Sequence, residues 1–199
     1  MKRETPTLSA TGFMLIMQVI VSFHLVLFGA DAKSAFLQGM EFTKGVLMKQ
    51  PREGWPGIRP GRLMMVLKGG FGFLDSPRRW WRFFSSVLLK LGFHQMSLDV
   101  TIFVYYVQRR LAIAIGIHVD HVIGGYDETI GMEMLERLRS AVKWGVWRLK
   151  KLTLAGKDVT QDDNFEIAIG QYDYCASIVI PTIDRARASK PEALLEGRD

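Results

Sequence analysis

Only one cysteine, Cys175, occurs in the sequence, so no disulfide can form within the chain and its core must hold without covalent staples, as suits a reducing compartment. Also missing is an apolar run of the roughly 20 residues that a membrane-spanning helix needs. The most apolar segment, Phe13 to Phe28, is interrupted by Gln18, Ser22 and His24 and stops at Gly29-Ala30-Asp31. A small membrane-associated protein built on that segment would rest on hydropathy alone; a buried helix followed by a buried strand is the better account. No A-x-A-like cleavage site follows a clean apolar stretch, so no signal peptide or membrane partner is expected, and the chain is read as intracellular, cytoplasmic or nuclear. Internal repeats and low-complexity tracts are absent too.

With 48% hydrophobic and 23% charged residues, the composition is that of a globular domain with a sizeable core, not of a disordered chain. The net charge of +6 favours phosphate-rich partners, because each Lys or Arg near a phosphate releases condensed counterions. Charge alone does not decide the matter: Arg78, Arg79 and Arg82, or Arg148, Lys150 and Lys151, are equally readable as solvated faces. Nothing in the sequence specifies an oligomeric state.

Residues 1–12 are polar and read as an irregular N-terminal segment, 13–180 as one domain, and 181–199 as a polar, frayed tail. The apolar run divides into a helix over about 12–21 and a strand over 23–30 that ends at Asp31. Residues 45–62, which hold Pro51, Pro56 and Pro60 with several glycines, read as a long loop. Asp75-Ser76-Pro77 marks a helix start, and the helix should run to Leu91 with Gly92 at its C-terminal cap. Ile102 to Val107 and Leu111 to Ile117 form a hairpin around Gln108-Arg109-Arg110. A second tight turn is expected at Val119-Asp120-His121, followed by a short strand that Gly124-Gly125 ends. From Glu128 to Lys143, Ile130, Met134, Leu138 and Val142 recur at helical spacing. This order gives an α+β fold, with an antiparallel sheet and helices packed on one face.

Asp31 and Asp120 both fall where a strand meets a turn, a position that exposes a carboxylate on a rigid support. Carboxylates brought together at adjacent strand ends can hold Mg²⁺, which demands oxygen ligands and bridges to substrate phosphates. Spacing alone favours the plainer reading of each as a turn or capping Asp.

A resemblance points the other way. Ala30-Asp31-Ala32-Lys33-Ser34-Ala35-Phe36-Leu37-Gln38-Gly39 is similar to the L-D-V-K-T-A-F-L-N-G block of Ty1/copia-type retrotransposon reverse transcriptases. Val46 to Pro51 resembles their I-Y-M-x-Q-P, and Lys68 to Trp81 resembles L-K-K-S-L-Y-G-L-K-Q-A-P-R-x-W, the most specific block, continued by Leu89 to Phe93. Asp99 to Phe103 stands at D-P-x-x-F with Val100 in place of Pro. Ile117 to Gly125 resembles the Y-V-D-D-I-L-I-x-G hairpin, and Gln171 to Ile178 the late Q-x-x-Y-x-x-x-I element. The blocks run in the family's order from about Glu4 to Ile178.

The resemblance implies the palm of a right-hand polymerase with partial fingers. By it, Asp31 and Asp120 bind two catalytic Mg²⁺ (or Mn²⁺) ions, and His121 stands at the third catalytic position. Ala32, Lys33, Phe36, Gly72 and Arg78 fall at substrate-binding positions: Phe36 under the sugar, where it rejects a ribose 2′-hydroxyl, Gly72 beside the new base pair, and Arg78 facing the template backbone. Phe36 is also readable as a core Phe on a short helix, and Arg78 as an exposed helical Arg. The implied partners are an RNA or DNA template–primer duplex and deoxynucleoside triphosphates.

Departures from the family are informative. His121 replaces the second aspartate of the hairpin, His118 the usual Tyr, and Asp75 the usual Gln. Imidazole is a poor Mg²⁺ ligand, so weaker metal binding and slower chemistry are expected. The family's basic fingers segment and its integrase and RNase H modules have no counterpart in these residues, so a piece of a longer polyprotein or a decayed copy is expected. Two functions follow: template-directed DNA synthesis, impaired in this copy, or an inactive remnant that binds nucleic acid without chemistry.

Overall fold

The computed structural model describes residues 5–179, and the tail read over 181–199 lies outside them. Helix α1 (Ala10–Ser22) starts two residues before the expected point, because the Ser9 hydroxyl oxygen accepts from the Gly12 amide at 2.9 Å and caps the first turn. The chain reverses at His24, φ +50°, into β1 (Val26–Ala32), which therefore begins later than composition suggested. A single turn, α2 (Ala35–Gln38), follows.

The stretch read as a loop from 45 to 62 is in part a strand. β2 (Val46–Lys49) pairs antiparallel with β3 (Leu63–Val66), and only the segment between them is irregular. The error has a physical source: this hairpin stands apart from the main sheet and is largely exposed, so it shows no buried alternation. Arg79 holds it to the body of the domain, since its Nη1 donates to the Glu41 carbonyl at 2.5 Å while its guanidinium lies 4.7 Å above the Phe42 ring.

Helix α3 (Ser76–Lys90) carries Pro77 in its first turn and stops at Gly92, φ +91°. Next come β4 (His94–Gln95), β5 (Ile102–Val107), β6 (Arg110–His118) and β7 (His121–Tyr126). Gly124 and Gly125 do not end β7 but sit inside it. A Cβ on Gly125 would lie 2.6 Å from Ile20 of α1, and one on Gly124 would meet the Ala114 carbonyl and the Phe28 ring. The glycines let both layers press onto the strand.

Helix α4 (Met132–Ala141) starts later than Glu128, because the Asp127 side chain accepts from the Thr129 and Ile130 amides and closes a turn first. The chain continues through β8 (Trp144–Leu149), β9 (Lys151–Leu154), β10 (Lys157–Gln161), β11 (Ile167–Gly170) and α5 (Tyr172–Ser177).

The main sheet has the order β4-β5-β6-β7-β1-β8 and is antiparallel throughout; β11-β10-β9 form a second sheet. Helices were expected on one face only, and this is corrected. Trp80, Phe84 and Leu88 of α3 and Leu135 and Leu138 of α4 pack against Phe28, Ile113 and Ile115 on one face. On the other, Phe13, Ile16 and Ile20 of α1, with Leu152 and Val159 of the second sheet, cover Leu27, Ala114 and Ile123. The reason lies in β6 and β7, which are buried almost without alternation and so need cover on both faces.

Asp99 ties α1 to the sheet: Ser9 Oγ donates to its Oδ2 at 3.1 Å, and the Thr101 amide donates to its Oδ1 at 2.9 Å. Partial burial raises the Asp99 pKa, but the hydrogen bonds from Thr101 and Ser9 outweigh it and hold the carboxyl below its ordinary value. A depressed folded-state pKa contributes stability that is present above the unfolded-state value and lost as pH falls through the folded one. Asp99→Asn should therefore lower Tm by about 2–4 °C near neutral pH. In scanning calorimetry the gap should close in acid; a gap that persists unchanged there contradicts this account.

Candidate metal centre

Asp31 stands one residue before the end of β1, directly across from His121, the first residue of β7. His121 also pairs with His118, the last residue of β6, across the turn Val119-Asp120. That turn is strained, because Val119 has φ +57°, a region in which a β-branched residue is unfavourable. Two bonds hold it. Trp80 Nε1 donates to the Val119 carbonyl at 2.9 Å, and the Ala32 amide donates to the Asp120 carbonyl at 2.9 Å. The second bond joins the residue after Asp31 to Asp120 itself, and so sets the two aspartates side by side.

A carboxylate oxygen of Asp31, one of Asp120 and a ring nitrogen of His121 all lie within 4.8 Å of one another. His121 Nδ1 is 3.1 Å from Asp120 Oδ1, and Nε2 is 3.6 Å from Asp31 Oδ1. The side chains are partly open to solvent, from 30% for Asp120 to 47% for His121. Opposite Asp31, β8 bulges between the partners of Ala30 and Ala32. Gly145 lies in that bulge, where a Cβ would stand 3.1 Å from Asp31 Oδ2, so its absence leaves the carboxylate clear. Asp31 and His121 line a cleft of about 590 Å³ whose walls include Val146, Arg148, Leu152 and Leu154.

Of the other residues singled out from the sequence, Ala32 is buried and serves through its amide, while Lys33 is exposed and its amide donates to the Lys143 carbonyl at 3.0 Å. Phe36 is half-buried on α2, with its ring edge-on to Phe71 at 5.2 Å. Gly72 is exposed at φ +88°, and a Cβ there would touch no atom of the chain. Glycine is thus required by the left-handed backbone rather than by crowding within the chain. Arg78 is not an exposed helical Arg: it is half-buried on α3, and its Nη1 is buried with no hydrogen-bond partner among the described residues.

Sequence patterning missed Gln38 and Gln161. Gln38 Nε2 donates to the Lys33 carbonyl at 2.7 Å and the Lys143 carbonyl at 2.9 Å, and its Oε1 accepts from the Lys143 amide at 2.9 Å. It fastens the segment after Asp31 to the approach to β8. Gln161, buried, accepts from the Leu27 amide at 2.8 Å and donates to the Leu25 carbonyl at 2.9 Å, supporting the start of β1. Neither has a local sequence signal, because each also bonds backbone more than 100 positions away.

The donor set suits some ions better than others. Two carboxylates are oxygen donors of the kind Mg²⁺ takes, while the third donor is an imidazole, which Mg²⁺ takes less readily.

The family model described as reverse transcriptase (RNA-dependent DNA polymerase) matches residues 4–185. Over 136 residues the sequence is 29% identical to the retrovirus-related Pol polyprotein from transposon RE1 of Arabidopsis thaliana, covering 67% of this chain and 9% of that protein. Over 127 residues it is 28% identical to the corresponding polyprotein from transposon RE2 of the same plant, covering 63% and 8%. The chain thus spans less than a tenth of the length of these curated relatives. No solved structure matches it.

Proposed function

Because the chain belongs to the reverse transcriptase (RNA-dependent DNA polymerase) family and is of the copia type, we propose that residues 13–180 form a right-hand polymerase palm that binds a template–primer duplex and carries out slow, impaired DNA synthesis. The observation that carries this reading is the meeting of Asp31 and Asp120 at the ends of paired strands, with His121 between them. The family uses divalent metals such as Mg²⁺. In this chain an imidazole stands where a carboxylate would add two oxygen donors, which is why Mg²⁺-dependent synthesis is slow.

The remaining residues have positioning roles. Ala32 and Lys33 lie beside the triphosphate, Phe36 under the sugar and Gly72 beside the new base pair. Arg78 lies on the side of the template backbone. A second reading, a module that holds duplex without chemistry, is favoured by the side chain at position 121.

Fluorescence anisotropy with a labelled RNA–DNA primer–template separates these readings from a chain unrelated to nucleic acid. Binding should weaken steeply with salt, as phosphate contacts require. Measurable primer extension by the native chain, lost in Asp120→Asn, supports the polymerase; binding without extension supports the module. Salt-independent or absent binding sinks both.

A further inference from the structure

We propose that the end of the main sheet remote from Asp31 and Asp120 carries a second nucleic-acid site, which takes an unpaired nucleotide of a single strand against Phe23 and Tyr106 with a phosphate on Arg109. A hollow of about 440 Å³ is lined there by Leu111, by Phe23 at the end of α1 and by Tyr106 of β5. β6 runs 9 residues from Arg110, beside this hollow, to His118 at the turn that presents Asp120. At the rise of an extended strand the two ends stand about 25 Å apart, so the hollow is separate from the candidate metal centre.

Its aromatic side chains are unusually open. Phe23 is 57% and Tyr106 47% exposed. A further ring adjoins each: His94 lies 6.3 Å from Tyr106, and His24, next to Phe23 in the chain, lies 5.4 Å from Phe165. A strand therefore meets more than one ring along this end of the domain, and stacking on rings accepts any base, since every base has a π face. Bases paired in a duplex keep their faces against one another, so only unpaired nucleotides can use these rings. The size agrees, because ligand hollows start at about 300 Å³ and this one has room for a nucleotide but not for a duplex.

The charge of the site selects an anion. Arg109, Arg110 and Asp127 line the same hollow. Asp127 is already engaged: its Oδ1 accepts from the Thr129 and Ile130 amides, and its Oδ2 lies 3.5 Å from Arg110 Nη2. Arg109 is exposed and forms no ion pair among the described residues, which leaves one cation over for a phosphate. That cation is held at a conformational cost. Gln108 and Arg109 are the two residues of the β5–β6 turn, and both have positive φ, +47° and +66°, where Asn-Gly would fit with less strain. A guanidinium beside open rings supplies the two contacts that single-strand binding combines, phosphate attraction and base stacking. An acidic peptide would use the guanidinium and leave the rings idle.

Fluorescence anisotropy of labelled oligo(dT), which forms no duplex, tests the site on the native chain in an excess of unlabelled blunt duplex. Binding should persist in that excess. Phe23→Ala and Tyr106→Ala should each weaken it about tenfold, the scale of one stacked base, while Tyr106→Phe keeps the ring and the affinity. Arg109→Gly suits the positive φ of the turn and removes only the cation, so the slope of log affinity against log salt should become shallower by about 0.7. Circular dichroism confirms that each variant is folded. Affinity for oligo(dT) that is unchanged in both ring-to-alanine variants, complete displacement by blunt duplex, or tighter binding of a phosphotyrosine peptide than of oligo(dT) overturns the proposal. Failure of the chain to extend a primer would remove the polymerase reading while leaving this measurement intact.

Discussion

Trp80→Ala is expected to lower stability by about 3–5 kcal/mol, the range for emptying a large buried aromatic site. The side chain is only 1% exposed, and its ring stacks on Phe84 at 5.3 Å with the planes 6° apart. Its indole also donates to the Val119 carbonyl, so the same substitution removes a support of the strained turn that presents Asp120. Trp80→Phe retains much of the packing and loses that bond, and should cost about 1–3 kcal/mol. Urea unfolding followed by circular dichroism measures both. A cost below about 1 kcal/mol for the alanine variant would mean that α3 does not pack as described.

The second large effect concerns chemistry. His121→Asp should raise Mg²⁺-dependent incorporation of deoxynucleotides by about 10²–10³-fold, the scale on which one well-placed electrostatic group acts in an active site. Asp is well suited to the position, because residue 121 is partly exposed, begins a strand and faces Asp31 across a paired register. Duplex affinity should change little, since phosphate contacts by Lys and Arg are unaffected. Steady-state primer extension at saturating duplex reads the difference, and equal rates in both proteins would show that the imidazole is not what limits synthesis.

How far the sequence could be read depended on whether a feature was local. The hairpins β5–β6–β7 and the start and stop of α3 were legible because turn residues, Pro77 and Gly92 act within a few positions. Which face α1 covers was not, since that depends on β6 and β7 being buried on both sides. The exposed β2–β3 hairpin lacked alternation, and the strands after α4 were not read at all because β8 and β11 are largely exposed and β9 and β10 short. At the candidate site, Asp31 and Asp120 were suggested by family blocks rather than by spacing. The bridging position of the His121 ring, and the bulge at Gly145 that clears Asp31, follow from strand register, which no local pattern encodes. Among the described residues no helix is long and apolar enough to cross a membrane.

The most direct test of the central claim is single-nucleotide addition to a pre-bound primer–template in Mg²⁺ by His121→Asp, compared with the double variant that adds Asp31→Asn. The account predicts rapid addition by the first protein and a loss of at least about 100-fold in the second. Addition at the same rate in both, or in neither while duplex remains bound, would contradict a polymerase centre built on Asp31 and Asp120.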